Sequence, residues 1–106
     1  MISIDYREEK SGIIDLFKNQ CQKSFEIRNL YCADYVIDNK IAIERKTPDD
    51  FCVSIIDGRL FKQTIRMKSN FEYNAIIVEG NPFKTKHNFN RNVLENVLIE
   101  LSVFIG

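Results

Sequence analysis

The stretch IAIERKTPDD, residues 41–50, constrains the fold of this chain more than any other segment. An apolar run ends by setting a carboxylate, a guanidinium and an ammonium side by side, then Thr-Pro and two more carboxylates. Thr47 suits a helix N-cap, Pro48 the first helical position and Asp50 the third, so a strand over 40–46 passes directly into a helix that runs through about Ile56. Side chains alternate along a strand, which puts Ala42, Glu44 and Lys46 on one face and Ile41, Ile43 and Arg45 on the other. Glu44 and Lys46 therefore project together at the strand end.

The remaining segments fit around that junction. ISIDY (2–6) alternates as a strand does, and SGIIDLFKNQ (11–20) carries Ile13, Ile14, Leu16 and Phe17 at helical spacing. FEIRNL (25–30) reads as a strand, and DYVI (34–37) with KIAIERK (40–46) reads as a hairpin. Asp57-Gly58 interrupts the first long helix, and a second runs from about Arg59 to Asn70. The apolar strand NAIIVE (74–79), a polar loop over 80–92 and a helix from about Asn90 complete the chain. This order predicts an α/β fold, with a central mixed sheet of about five strands flanked by helices, and 106 residues suit a single domain (1–106).

Composition narrows the chemistry. No apolar run reaches the roughly 18 residues a membrane span requires, so no membrane partner is expected. The N-terminus has no secretory pattern, and Cys21, Cys32 and Cys52 form no Cys-x-x-Cys pair, which points to reduced, packed thiols in an intracellular protein. The single histidine, His87, lies in the polar loop and reads as a surface residue. Catalysis would therefore rest on carboxylates and lysine. The formal net charge is zero, so attraction to nucleic acid needs a local cluster of cations.

The hairpin register decides what the acidic groups face. A two-residue loop at Asp38-Asn39 pairs Tyr35 with Ala42 and turns Asp34 away from Glu44. A three-residue loop, with Asn39 or Lys40 left-handed, pairs Tyr35 with Ile43 and sets Asp34 opposite Glu44, so that both apolar faces agree. Opposed carboxylates destabilise a sheet, and a divalent cation between them reverses that sign. Oxygen ligands without histidine or cysteine suit Mg²⁺ or Mn²⁺. Asp50 either turns back toward this corner or serves the helix dipole, and Asp5, ending the first strand, can approach from beside it.

Cations gather on the second helix. Arg59, Lys62, Gln63 and Arg66 fall at i, i+3, i+4 and i+7, and residues 59–71 contain no Asp or Glu. Such a stripe beside an acidic cluster suits a phosphodiester backbone, although a merely solvated basic face has the same pattern.

DYVIDNKIAIERKTPDD closely resembles the Asp…Glu-Arg-Lys-x-x-x-Asp motif of the XPF/Hef family of structure-specific endonucleases, with Asp34, Glu44, Arg45, Lys46 and Asp50 in the matching places. DYREEKS (5–11) is similar to that family's Asp-x-Arg-Glu-x-x-Ser element, IIDGRLFKQ (55–63) to its Asp-Gly-Arg-Leu stretch, and AIIVEG (75–80) to the strand that follows. The resemblance implies a restriction-endonuclease-like, PD-(D/E)xK-type nuclease domain. Its expected activity is Mg²⁺- or Mn²⁺-dependent cutting of flaps, forks or similar branched DNA, as a homodimer or a heterodimer.

On that reading Asp34 and Glu44 ligate the metal, with Asp50 and either Asp5 or Glu8 in support, and Lys46 orients or helps deprotonate the attacking water. Arg7, Arg59, Lys62, Gln63 and Arg66 hold DNA, while Arg45, Gly58 and Thr47 serve the structure. The expected location is the nucleus in a eukaryote and the cytoplasm in an archaeon.

Two features depart from the family pattern. Ala33 stands where Gly usually precedes the Asp, and the chain stops at Gly106 without the family's closing strand and helix or helix-hairpin-helix domain, which suits either a C-terminally truncated fragment or a minimal version leaning on a partner. The apolar residues Val93, Ile99, Val103 and Phe104 spread beyond the Leu94/Val97/Leu98/Leu101/Ile105 stripe of the last helix, which predicts self-association. The rival reading is a non-catalytic DNA-binding or scaffold subunit of a heterodimeric nuclease. A small-molecule metal hydrolase is a third.

Overall fold

A computed structural model describes residues 1–106 apart from 21–24, 31, 87–89 and 106, so Cys21 and His87 lie outside the described residues. Five strands form one mixed sheet: β1 (Ile2–Asp5), β2 (Phe25–Arg28), β3 (Tyr35–Ile37), β4 (Ile41–Lys46) and β5 (Tyr73–Val78), in the order β2-β1-β3-β4-β5. The two outer pairs, β1/β2 and β4/β5, are parallel, and the central pairs β1/β3 and β3/β4 are antiparallel. Parallel neighbours need a crossover. The first consists of a 3-10 helix (Tyr6–Ser11) and α1 (Ile13–Gln20), and the second of α2 (Pro48–Ile56) and α3 (Arg59–Asn70). A last helix, α4 (Arg91–Ile105), follows the loop after β5.

The local boundaries have local causes. Thr47 caps α2 by accepting the Asp50 N–H at 3.2 Å, with Pro48 in the first turn. Gly58, at φ 80°, makes the left-handed break between α2 and α3. Asn90 caps α4 by accepting the N–H groups of Asn92 and Val93. The 3-10 helix lies where the sequence suggested a strand through Tyr6. The Asp5 side chain accepts the Arg7 N–H and turns the backbone immediately after β1.

The sheet packs its two faces unequally. Val36 and Ala42 sit with Leu30, Ala33 and Met67 in one buried cluster, while Ile76 and Val78 back onto Phe51, Leu60, Leu94, Val97 and Leu101 in another. Helices α2, α3 and α4 thus supply the core on the face that carries Glu44 and Lys46. On the reverse face Ile4 is fully buried, but the β5 residues Tyr73 and Ile77 stay 59% and 49% exposed.

Candidate active site

The hairpin sets the geometry of the charged cluster. Tyr35 pairs with Ile43, Val36 with Ala42 and Ile37 with Ile41, across the three-residue loop 38–40. The left-handed residues of that loop are Asp38 and Asn39 (φ 53° and 57°), and Lys40 instead closes the turn by donating its N–H to the Ile37 carbonyl at 3.0 Å. Of the two alternatives, Asn39 is the left-handed one, joined by Asp38. One step beyond Tyr35 the ladder continues: Asp34 donates its N–H to the Ile43 carbonyl at 3.0 Å, and its Oδ2 accepts the Arg45 N–H at 2.8 Å. Asp34 and Glu44 therefore face each other on the same side of the sheet.

They open onto a cavity of about 280 Å³ lined by Arg7, Cys32, Ala33, Asp34, Glu44, Gln63 and Arg66. Lys46 is buried beside it, with Nζ 3.7 Å from Glu44 Oε1. Burial pushes the Glu44 carboxyl up to about 7, helped by the Asp34 charge and by a hydrogen bond between the two carboxyls. Asp34 is raised in the same way, by burial first and by the charges of Glu8 and Asp5 next. Two adjacent carboxyls that resist full ionisation are what a cation would relieve.

Neighbouring acidic groups are held elsewhere. Asp5 is buried at the end of β1, its Oδ1 accepting the Leu30 N–H at 2.9 Å and its Oδ2 the Arg7 Nε–H at 2.6 Å. Burial works to raise its pKa, but these hydrogen bonds outweigh it and pull Asp5 below the ordinary carboxylate range. Glu8 takes the Tyr35 hydroxyl at 2.5 Å, and its charge reaches Asp34 and Glu44. The Glu in the Asp-x-Arg-Glu element hinted at Glu8. Nothing in the sequence announced its Tyr35 partner or the presence of Cys32 in the cavity wall.

The other expected residues divide. Gln63 and Arg66 come to the cavity from α3 and Arg7 from the 3-10 helix. Arg59 and Lys62 are not among the lining residues, and Arg59 is no unpaired cation, because its Nε donates to Asp57 Oδ2 at 2.7 Å. The sequence stripe overlooked that partner, which sits across the helix break. Asp50 is not among the lining residues either: it is exposed in the first turn of α2, where its charge meets the helix dipole. Arg45 projects to the opposite face and pairs with Glu79.

Among the described residues no group of three or more His, Cys, Asp or Glu side chains gathers to hold a metal ion. Asp34 and Glu44 still fit a hard divalent cation, because Mg²⁺ is commonly bound through one or two carboxylates, with water and substrate phosphate completing its shell.

The comparisons agree with this geometry. The chain is 37% identical over 79 residues to the 3'-flap repair endonuclease Xpf of Saccharolobus solfataricus, which covers 74% of this chain and 34% of that protein. Its fold matches the structure of XPF from Aeropyrum pernix with a TM-score of 0.85 at 32% identity, over 94% of this chain and 50% of that one. A second structure of the Aeropyrum protein, a complex with DNA, matches with a TM-score of 0.78 at 30% identity, over 97% and 50%. The chain spans between 9% and 34% of the length of the curated relatives it matches. With residues 4–104 matching the ERCC4 domain, the chain belongs to the ERCC4 domain family and has the fold of an XPF-type nuclease domain.

Proposed function

We propose that this chain is the catalytic domain of a structure-specific DNA endonuclease, hydrolysing phosphodiester bonds in flap, fork or otherwise branched DNA with Mg²⁺ or Mn²⁺. The observation that carries this reading is the meeting of Asp34 and Glu44 in a cavity edged by Arg7 and Arg66. Carboxylates for an ion and guanidinium groups for phosphate oxygens are the two parts that phosphodiester hydrolysis requires of a protein.

Asp34 and Glu44 would hold the cation, which when bound neutralises charge developing on the phosphate. Arg66 grips the phosphodiester beside them. Arg7, already tied to Asp5 and the Leu30 carbonyl, braces one wall of the cavity and offers its remaining N–H groups to the backbone. Lys46, buried against Glu44, would orient or help deprotonate the attacking water. The water oxygen bonds to phosphorus as the bond to the departing sugar oxygen breaks, and that oxygen ends protonated as a hydroxyl. Self-association is assigned to the outer face of α4, where Val93, Ile99, Val103 and Phe104 are exposed. A clean monomer in sedimentation at tens of micromolar would remove that assignment.

The reading is tested with labelled flap, fork, nicked and single-stranded DNA incubated with Mn²⁺ or with EDTA. The expected result is cleavage of branched substrates with Mn²⁺ only, abolished by Asp34→Ala in a variant that keeps the wild-type Tm. Binding of branched DNA without cleavage would replace the enzyme by a scaffold subunit.

A further inference from the structure

Gln63 stands apart from the other polar residues of the cavity. It comes from α3 to line the cavity with Glu44 and Arg66, yet its Oε1 atom is sealed from solvent and takes no hydrogen bond from any described residue. A buried acceptor left without a donor is destabilising, and native structures keep such groups rarely. The neighbouring Thr64, also buried, does satisfy its hydroxyl, on the Leu60 carbonyl at 2.7 Å. Helix α3 is therefore able to satisfy its polar side chains locally, and Gln63 is the exception.

The missing donor is best supplied by what fills the cavity. Arg7 and Arg66 bring donors suited to phosphate oxygens, and Asp34 and Glu44 are carboxylates that the nuclease reading assigns to the cation. The attacking water carries two O–H donors and needs an acceptor that orients it. A carboxamide oxygen meets that need, because it accepts hydrogen bonds and does not titrate. Its terminal torsion is soft, so the oxygen can swing toward the cavity at little cost. A glutamine that orients the attacking water is an arrangement phosphoryl transfer already uses.

Resting on the nuclease reading above, we propose that Gln63 is a positioning residue whose side-chain oxygen, unsatisfied in the free protein, accepts a hydrogen bond from the attacking water once DNA fills the cavity. This differs from the phosphate-gripping role that the sequence suggested for it. A phosphate grip uses the amide N–H₂ and acts on affinity, whereas an oriented water acts on the chemical step.

The experiment compares the wild-type chain with Gln63→Met, which keeps the shape and removes the polar atoms, and Gln63→Glu, which restores an acceptor. Three quantities are read: single-turnover cleavage of labelled flap DNA with Mn²⁺, affinity for the same DNA in EDTA, and Tm. Gln63→Met is expected to slow cleavage by roughly 10- to 100-fold and to leave affinity within about twofold. It is also expected to raise Tm by roughly 5 °C, since an unsatisfied buried acceptor is gone. Gln63→Glu should recover part of the lost rate.

Affinity falling in step with the rate would overturn the proposal in favour of a phosphate contact, and unchanged cleavage by Gln63→Met would overturn it outright. A lower Tm with proportionate loss of rate would make Gln63 a packing residue. If the wild-type chain cuts none of the branched substrates, the nuclease reading falls first and the proposal with it.

Discussion

Glu44 and Arg45 are neighbours on one strand, and one step of alternation sends them into opposite chemistries. Glu44 and its companion Lys46 have side chains only 14% and 6% exposed, on the face that α2, α3 and α4 cover. Arg45 and its partner Glu79 are 29% and 61% exposed, on the face left open beside Tyr73 and Ile77. The exposed pair is an ion pair in water, worth roughly 0 to 1 kcal/mol. The buried group meets a second carboxylate, Asp34, with which it competes for ionisation. Two carboxyls that compete for ionisation, in a cavity that Arg7 and Arg66 also line, form the kind of arrangement that functional sites use, whereas a solvated pair is ordinary surface.

Paired substitutions break or sharpen that contrast. The largest difference is expected between Glu44→Gln and Glu79→Gln. The first should lower Mn²⁺-dependent cleavage of flap DNA by at least about 100-fold, as loss of a ligand to a catalytic cation does. The second keeps a hydrogen bond to Arg45 and should change cleavage by less than about threefold, so equal losses in the two variants would erase the distinction between the faces.

A smaller effect is expected where the two faces are tied together. Gly80, at φ 131°, follows Glu79 and lies so close to Pro48, at the start of α2, that an added Cβ would come within 2.8 Å of its Cγ. Gly80→Ala should destabilise the domain by roughly 1 to 3 kcal/mol, through overpacking against a rigid ring and a strained backbone. Gly58→Ala meets no atom within 4 Å and should cost only the left-handed strain, on the order of 1 kcal/mol. Chemical denaturation of the two variants separates them, and equal midpoints would show that Pro48 gives way freely.

Much of this was legible in the residues. Alternation in IAIERK, the Thr-Pro cap and the agreement of both apolar faces selected the three-residue loop, because one register step would have moved every side chain to the wrong side. What stayed hidden depends on contacts across turns. Asp5 bends the chain into a 3-10 helix through its own side chain, so the first strand ends a residue early. Asp57 reaches over the helix break to Arg59, and the cationic stripe loses a member to a residue just outside the window that defined it. Asp50 has the helical spacing of a ligand and the exposure of a first-turn carboxylate, a distinction that spacing alone does not encode. The bare acceptor on Gln63 is likewise invisible in sequence, since it is defined by partners that never arrive.

The pH behaviour of Glu44 leads to the most direct measurement. Its folded-state pKa of about 7 lies above the ordinary 4.5, so the fold holds a proton that the unfolded chain releases between those values. Without a cation, this group's contribution to stability is complete below about pH 4.5 and is lost as the pH rises to about 7. A cation competes with that proton, so its affinity should rise over the same window. Calorimetric titration of Mn²⁺ into the wild-type chain, Asp34→Asn and Glu44→Gln, at pH 5.5 and pH 8, reads this competition. The prediction is binding by the wild type at pH 8, weakened at least about tenfold at pH 5.5 and lost in both variants. Binding that is indifferent to pH, or that survives in the two variants, would contradict a cation site shared by Asp34 and Glu44.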